Sequence, residues 1–343
     1  MKRHLNTLYV TTQDSWLSKD GENIVLKVDG KAIGRLPIHT LSSIVCFGRV
    51  SCSQFLMDFC ASNGVTICWL TEAGRFMASV KGRTSGNVLL RVEQYRQSTD
   101  EQLALHWAKA FITGKIFNCR IVLQRALRDH PSIDEDGSIN QALALLKRSL
   151  NNIPNASSLD ELRGIEGDAA GVYFGVFGKL LTDQVESISF SGRNRRPPLD
   201  PVNCLLSFFY TLLANDIEGA LESVGLDPQV GYLHRLRPGR SSLALDLEEE
   251  FRPVIADRLV LNLLNRGQLK REDFDFSKSG AVLLKENART VALKAYHQKK
   301  QEEVIHPFLN EKISTGLLWH MQARLLARGL RGELKEYPPY IIR

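Results

Sequence analysis

The sequence lacks the paired cysteines of a zinc ribbon or a thioredoxin-like motif, because none of its six cysteines forms a CxxC pair. Cys46 and Cys68 lie in apolar surroundings, which favours buried free thiols. The N-terminal stretch has no long apolar core of a signal peptide, and no apolar run approaches the length of a membrane span. We therefore expect a protein of the reducing cytoplasm.

Three common catalytic signatures are also missing. The sequence contains no GxxxxGK[ST], no GxGxxG after a strand and no GxSxG, so a P-loop, a dinucleotide fold and a serine hydrolase are unsupported. Its 343 residues are 43% hydrophobic and 24% charged, which is the composition of a globular protein large enough for two domains. The net charge of +6 is compatible with nucleic-acid binding but does not require it.

The first part of the chain has the pattern of a β domain. Short β-rich runs are bounded by turn signals such as Asp29-Gly30, which is typical of a hairpin. These runs predict strands over 23–28, 31–38, 43–47, 65–70 and 76–80, with one short helix over 53–62.

The pattern changes to helical periodicity near residue 86. Helices are predicted over 102–118, 139–151, 158–182, 202–222, 243–265, 286–303 and 308–329. The sequence thus predicts an α+β protein, in which a small N-terminal β-sandwich-like domain (residues 1–90) precedes a larger all-α catalytic domain (residues 91–343).

Two isolated residues are candidates for chemistry. Glu166 lies among small residues at a predicted helix start, where it could face a cleft or act as an ordinary carboxylate favoured by the helix dipole. His234 lies in an arginine-rich stretch with a Pro-Gly turn, where it could bind a metal or be a satisfied histidine in a basic loop.

The densest acidic signal follows at 246–250. On a helix, Asp246 and Glu249 share one face, and an apolar run leads directly into Asp246, which weakens the alternative of a solvated acidic face. We expect Glu248 and Glu250 to face solvent or to pair with arginines. Nitrogen and oxygen ligands from separate helices would suit Mg²⁺ or Mn²⁺, which can polarise a phosphodiester.

Arginines accompany these candidates. Guanidinium groups suit phosphate because their donors form a planar fork. The candidates for contacts with a DNA backbone are Arg193, Arg195, Arg196, Arg235, Arg237 and Arg240.

Five motifs, in order, resemble the CRISPR-associated endonuclease and integrase that acquires new spacers, the universal adaptation protein of those defence systems. They are EGxAAxxYF at 166–174, RPPxDPxN at 196–203, GYLH at 231–234, GRxSL at 239–243 and DLxExFRP at 246–253. The segments at 5–10 and 337–340 also look like one branch of that family, that of a type I system.

The resemblance implies a role for each motif. Glu166, His234 and Glu249 would bind Mg²⁺ or Mn²⁺, with Asp246 as a further catalytic ligand or as a carboxylate beside them. The implied reaction is a transesterification, in which the 3′-hydroxyl of a short DNA duplex attacks a phosphodiester of the repeat array. The implied partners are DNA, a second copy bound through the β domain, and a small ferredoxin-like adaptation protein.

The sequence is also compatible with two other functions. The same site would serve a general metal-dependent nuclease that acts on branched DNA in repair. The acidic cluster could instead be structural, in a noncatalytic scaffold that only binds DNA.

Overall fold

The computed structural model of the chain describes residues 6–72, 76–83, 88–182 and 188–342. They fall into two compact units, one formed by residues up to 84 with 292–297, and the other by the remainder. The first contains two β-sheets and the second is largely helical, which confirms the predicted α+β class. The helix over Val88–Thr99 packs within the second unit.

The first unit is built from two four-stranded sheets. One has the order β1-β5-β7-β8, with β1 and β7 parallel to β5, and the other has the order β4-β3-β2-β6. The elements are β1 (Asn6–Val10), β2 (Ser15–Asp20), β3 (Asn23–Val28), β4 (Lys31–Pro37), β5 (Leu41–Phe47), β6 (Val50–Cys52), α1 (Gln54–Ser62), β7 (Thr66–Leu70) and β8 (Phe76–Val80).

Both sheets and α1 share one apolar core. Leu17 of β2, Ile44 of β5 and Leu56 of α1 are fully buried in it. The indole N–H of Trp69 on β7 donates to the carbonyl of Val50 on β6, which joins the two sheets. All six cysteines are free, and five of them are buried, so the expectation of buried thiols is confirmed.

The second unit carries most of the helices. They are α2 (Val88–Thr99), α3 (Glu101–Asp129), α4 (Ser138–Asn152), α5 (Leu159–Phe177), α6 (Pro201–Ser223), α7 (Ser242–Glu248), α8 (Arg258–Asn265), α9 (Glu286–Gln301, of which residues 292–297 group with the first unit) and α10 (Leu318–Leu330). Two hairpins, β9 (Phe274–Phe276) with β10 (Val282–Leu284) and β11 (Glu303–Ile305) with β12 (Lys312–Ser314), add β structure that the all-α expectation missed. No helix within the described ranges is long and apolar enough to cross a membrane.

The predicted helix over 243–265 is divided into three parts. α7 ends at Glu248, a turn of π-helix spans Arg252–Asp257, and α8 continues from Arg258. Pro253 lies near the start of the π-helical turn, where its missing N–H disturbs the ordinary helical hydrogen bonds. Short π-helical segments occur often at functional sites, and this one adjoins the acidic cluster.

A buried polar network surrounds Glu250, just beyond the end of α7. The carboxylate of Glu250 accepts hydrogen bonds from the Tyr337 hydroxyl (2.8 Å) and the Tyr340 amide (2.6 Å). The amide of Asn118 on α3 donates to the carbonyls of Glu250 and Tyr340, both at 2.8 Å. The expectation that Glu250 faces solvent or pairs with an arginine is therefore wrong, because its side chain is fully buried and bonded to the segment around Tyr340.

Asn118→Ala should lower the free energy of unfolding by about 3 kcal/mol, because it leaves two carbonyls and the Ile342 amide without their buried partner. Urea unfolding measures this loss. The matched control is Asn151→Ala, which removes an exposed asparagine from α4 and should change stability little. An equal effect of both substitutions would contradict the role given to Asn118.

Candidate functional site

Asp246 on α7 is a fully buried carboxylate that fixes the turn before it. Its Oδ2 accepts the backbone N–H groups of Tyr232 (2.6 Å) and Leu233 (3.0 Å). Its Oδ1 accepts the backbone N–H of His234 at 3.0 Å and lies 2.6 Å from Nδ1 of the same imidazole. Four contacts occupy both oxygens of Asp246. Asp246 therefore lies on the Nδ1 side of His234 and positions its imidazole.

The turn approaches Asp246 closely because Gly231 has no side chain. A Cβ at this position would lie 2.6 Å from Oδ2 of Asp246 and 2.7 Å from the backbone of Ser242. With the carboxylate accepting at Nδ1, the imidazole of His234 carries its proton there and directs the lone pair of Nε2 away from Asp246. Nε2 lies 4.0 Å from Oε1 of Glu249.

Glu249 follows α7 directly and is 3% exposed. Arg252 contacts both Glu249 and Glu248, at 2.6 Å from the latter, so the expected arginine pairing is confirmed for Glu248. Burial raises the pKa of the Glu249 carboxyl, but Arg252 and Lys115 outweigh burial and hold that pKa at about 2. Glu249 is therefore ionised across the physiological pH range.

Glu166 lies in the interior of α5 rather than in its first turn, so the helix dipole does not explain it. Its carboxylate contacts the ammonium group of Lys115 on α3, which also lies 2.7 Å from Oε2 of Glu249. Lys115 thus links the two carboxylates. The sequence reasoning missed Lys115, and the only local signal was a lysine between Phe111 and Cys119 on the apolar face of α3.

One face of α5 beside Glu166 is open. Gly164, Gly167, Gly171 and Gly175 are exposed, and a Cβ on any of them would meet no described atom within 4 Å. Their spacing places them along one side of the helix. Another backbone could therefore approach α5 closely on this side.

The donors in this cluster have the right chemistry for Mg²⁺ or Mn²⁺. They are Nε2 of His234 and the carboxylates of Glu166 and Glu249. Oε2 of Glu249 is buried and faces the ammonium group of Lys115, so the surroundings of this oxygen already suit a cation. The side chains as they stand do not form a ready metal site, and the described residues hold no other group of three suitable ligands. Lys115 separates the two carboxylates.

The two arginine-bearing loops meet near the site. Burial lowers the pKa of the half-buried Arg240, and the positive charge of Arg237 lowers it further. Arg195 and Arg196, from the other loop, act in the same direction and so lie close by. Arg195, Arg196 and Arg237 are exposed, and we call these four residues the arginine cluster.

The two remaining arginines have partners within the chain. Arg193 is half-buried and donates to Oδ1 of Asn203 (2.7 Å) and to Oγ of Ser207 (3.2 Å). Arg235 is exposed and lies 3.0 Å from the carboxylate of Asp160. A phosphate would have to replace these partners, so both arginines are weaker candidates than the cluster.

A small cavity of about 30 Å³ adjoins Lys115. Its lining includes Tyr173, Tyr210, Arg252 and Asp257. The carboxylate of Asp257 accepts the hydroxyls of Tyr210 (2.7 Å) and Tyr173 (3.0 Å), and burial raises the pKa of this carboxyl to about 6. The sequence gave no local sign of this cavity, because its walls come from distant helices.

Asp257 should make stability depend on pH. Its pKa is raised in the folded chain, so its contribution is full below about pH 4 and is lost as the pH rises through about 6. From pH 4.5 to pH 7, the wild-type protein should lose about 2 kcal/mol of unfolding free energy relative to Asp257→Asn. Denaturant unfolding at both pH values tests this. Asp58→Asn, at an exposed carboxylate, is the control, and parallel pH profiles for all three proteins would contradict the assignment.

The family model for CRISPR associated protein Cas1 matches residues 8–298. A CRISPR-associated endonuclease Cas1 of Chlorobaculum tepidum is 52% identical over 343 residues, covering all of both chains. A Cas1 protein from Thermotoga maritima has a TM-score of 0.82 at 25% identity, covering 96% of this chain and 97% of its own. A casposase bound to its integration product shares the fold, with a TM-score of 0.85 at 22% identity over 99% of this chain and 95% of its own. The chain belongs to the Cas1 family of CRISPR-associated proteins.

Proposed function

We propose that this chain is a divalent-metal-dependent DNA endonuclease and integrase that inserts short DNA fragments into a CRISPR repeat array. The observation that carries the proposal is the meeting of His234, Glu166 and Glu249 beside the arginine cluster. Membership of the Cas1 family, whose curated relative is an endonuclease, supports the same class of enzyme.

His234, Glu166 and Glu249 would hold Mg²⁺ or Mn²⁺. When bound, such an ion polarises a phosphoryl oxygen and offsets the negative charge on the oxygens around phosphorus. Asp246 keeps the proton of His234 on Nδ1, so that Nε2 is available as a ligand. Arg252 stays paired with Glu248 and Glu249 and keeps the buried acids compensated.

The proposed reaction is a transesterification. The 3′-hydroxyl oxygen of the incoming fragment bonds to phosphorus in the repeat strand and gives up its proton to solvent. The bond from that phosphorus to the leaving oxygen breaks, and a new 3′-hydroxyl is released. One phosphodiester replaces another, so no phosphoanhydride is consumed. With water as the nucleophile, the same geometry gives hydrolysis.

The arginine cluster and the open face of α5 suit a DNA backbone. Three exposed guanidinium groups offer donors to phosphate oxygens, and the glycines beside Glu166 let the strand come close. We assign phosphate contacts first to Arg195, Arg196 and Arg237, and second to the half-buried Arg240.

The first unit is the proposed dimerisation unit. β4 is an edge strand, and Ile33 and Leu36 on it are 57% and 38% exposed. Edge strands with exposed apolar side chains are suited to pairing with a second chain. We further propose, from the family resemblance, a small ferredoxin-like adaptation protein as the other partner. The free thiols and the DNA substrate fit a cytoplasmic location.

A joining assay separates the candidate functions. Purified protein with Mn²⁺, a short duplex with free 3′ ends and a repeat-containing plasmid should give joined product. His234→Ala should reduce joining by more than about 100-fold, and Asp246→Asn by about 10- to 100-fold, because an outer residue that orients a ligand has an effect of that size. His106→Ala removes an exposed histidine from α3 and serves as the control.

Each other outcome supports a different function. Cleavage without joining favours a nuclease that acts on branched DNA. Binding that is unaffected by His234→Ala, with neither cleavage nor joining, favours the noncatalytic scaffold.

The salt dependence of DNA binding tests the arginine cluster. Replacing Arg195, Arg196 and Arg237 by glutamine should reduce the magnitude of the slope of log affinity against log salt by about 3 for duplex DNA. Each phosphate contact releases about 0.9 counterions on binding, and the variant lacks three such contacts. The charge-matched control replaces the exposed Arg148, Arg266 and Arg324. Equal slopes for the two triple variants would remove the cluster from the DNA interface.

A further inference from the structure

Lys115 makes the contacts that a bridging cation would make. Its ammonium group touches Oε1 of Glu166 and lies 2.7 Å from Oε2 of Glu249, and its side chain is only 10% exposed. An ammonium group therefore lies between two of the three proposed metal ligands.

A metal ion and this ammonium cannot share the position. Mg²⁺ and similar ions bind carboxylate oxygens at about 2.1 Å, so an ion held by both glutamates would fall where the nitrogen of Lys115 lies. The two positive charges would also repel each other at short range. Arg252 need not move, because it retains Glu248 as a second partner.

The cavity beside Lys115 offers the ammonium a place to go. Lys115 lines it together with Asp257, Tyr173 and Tyr210. Its volume of about 30 Å³ is enough for a group the size of one or two water molecules, which is the size of an ammonium. Asp257 supplies a carboxylate there, so a displaced Lys115 would leave its two anionic partners and gain one new one.

We propose that Lys115 is an internal cation that bridges Glu166 and Glu249 and is displaced towards Asp257 when a divalent ion binds. This inference rests on the metal site proposed above and adds its regulation. Metal affinity is then set by competition, because each bound ion must first move Lys115.

Calorimetric titration of the full chain with Mn²⁺, without DNA, measures this competition directly. Lys115→Met and Lys115→Gln should each bind Mn²⁺ at least about tenfold more tightly than the wild-type protein, because the competing charge is gone. Lys115→Arg keeps the charge and should not tighten binding. Lys109→Met changes a lysine of the same helix that donates to the Pro154 carbonyl, and it should leave the affinity unchanged.

A double-mutant cycle tests the proposed destination. Asp257→Asn should weaken Mn²⁺ binding when Lys115 is present and should have little effect in the Lys115→Met background. Thermal unfolding of each variant establishes that it is folded before titration. Unchanged or weaker Mn²⁺ binding by both neutral variants at position 115 would overturn the competition, and an equal effect of Asp257→Asn in both backgrounds would overturn the destination.

Glu166→Gln and Glu249→Gln distinguish failure of the proposed metal site from failure of the role proposed for Lys115. If both weaken Mn²⁺ binding and the Lys115 variants do not tighten it, the metal site stands and the role of Lys115 fails. If neither glutamine variant weakens binding, or the wild-type protein binds no Mn²⁺, the metal site fails and the inference about Lys115 fails with it.

Discussion

Burying four acidic side chains within five residues is the constraint on which the site depends. Asp246, Glu248, Glu249 and Glu250 are each at most 3% exposed, and a buried carboxylate without compensation is costly. Different groups compensate the buried carboxyl groups at the different positions. Backbone N–H groups and an imidazole compensate Asp246, cations compensate Glu248 and Glu249, and tyrosine and amide donors surround Glu250. Burial raises the pKa of the Glu250 carboxyl to about 8, so this last acid is mainly neutral at pH 7.

These solutions give the four carboxylates different capacities. Both oxygens of Asp246 accept N–H groups of the turn at 231–234, and Glu250 accepts tyrosine and amide donors. Glu248 pairs with Arg252, whereas Glu249 contacts Lys115 as well as Arg252. Only Glu249 of the four faces both His234 and Lys115. The acidic run therefore separates into one residue suited to binding a cation and three that support it.

The fold was predictable where local pattern decides it. Period-two runs and turn signals located β3, β4, β5, β7 and β8 and the helix α1. The strand over Val50–Cys52 escaped because three residues carry no periodicity, and its conformation comes from parallel pairing with β2. The helix predicted from residue 308 begins at Leu318 for a similar reason, because the preceding residues pair in the β11–β12 hairpin.

The site was predictable only in part. Clustered acids and a histidine in a basic loop identified one side of it, but Lys115 is 51 residues from Glu166 in sequence and has no distinctive neighbours. Glu250 was misassigned because helical spacing gives the face of a helix and not what later segments place against it. Its partners Tyr337 and Tyr340 lie 87 and 90 residues further along the chain.

The turn at 231–234 is, in chemical terms, an anion receptor made of peptide groups, which the chain fills with its own aspartate. Its donors belong to the backbone and are present whichever side chains follow Gly231. The receptor therefore depends on two residues, Gly231, which has no Cβ, and Asp246, whose short carboxylate fills it. Substitution of Tyr232 or Leu233 would change only the packing of the side chain. A Cβ at 231 would instead displace the carboxylate of Asp246 from the receptor, and the imidazole of His234 would lose its orientation.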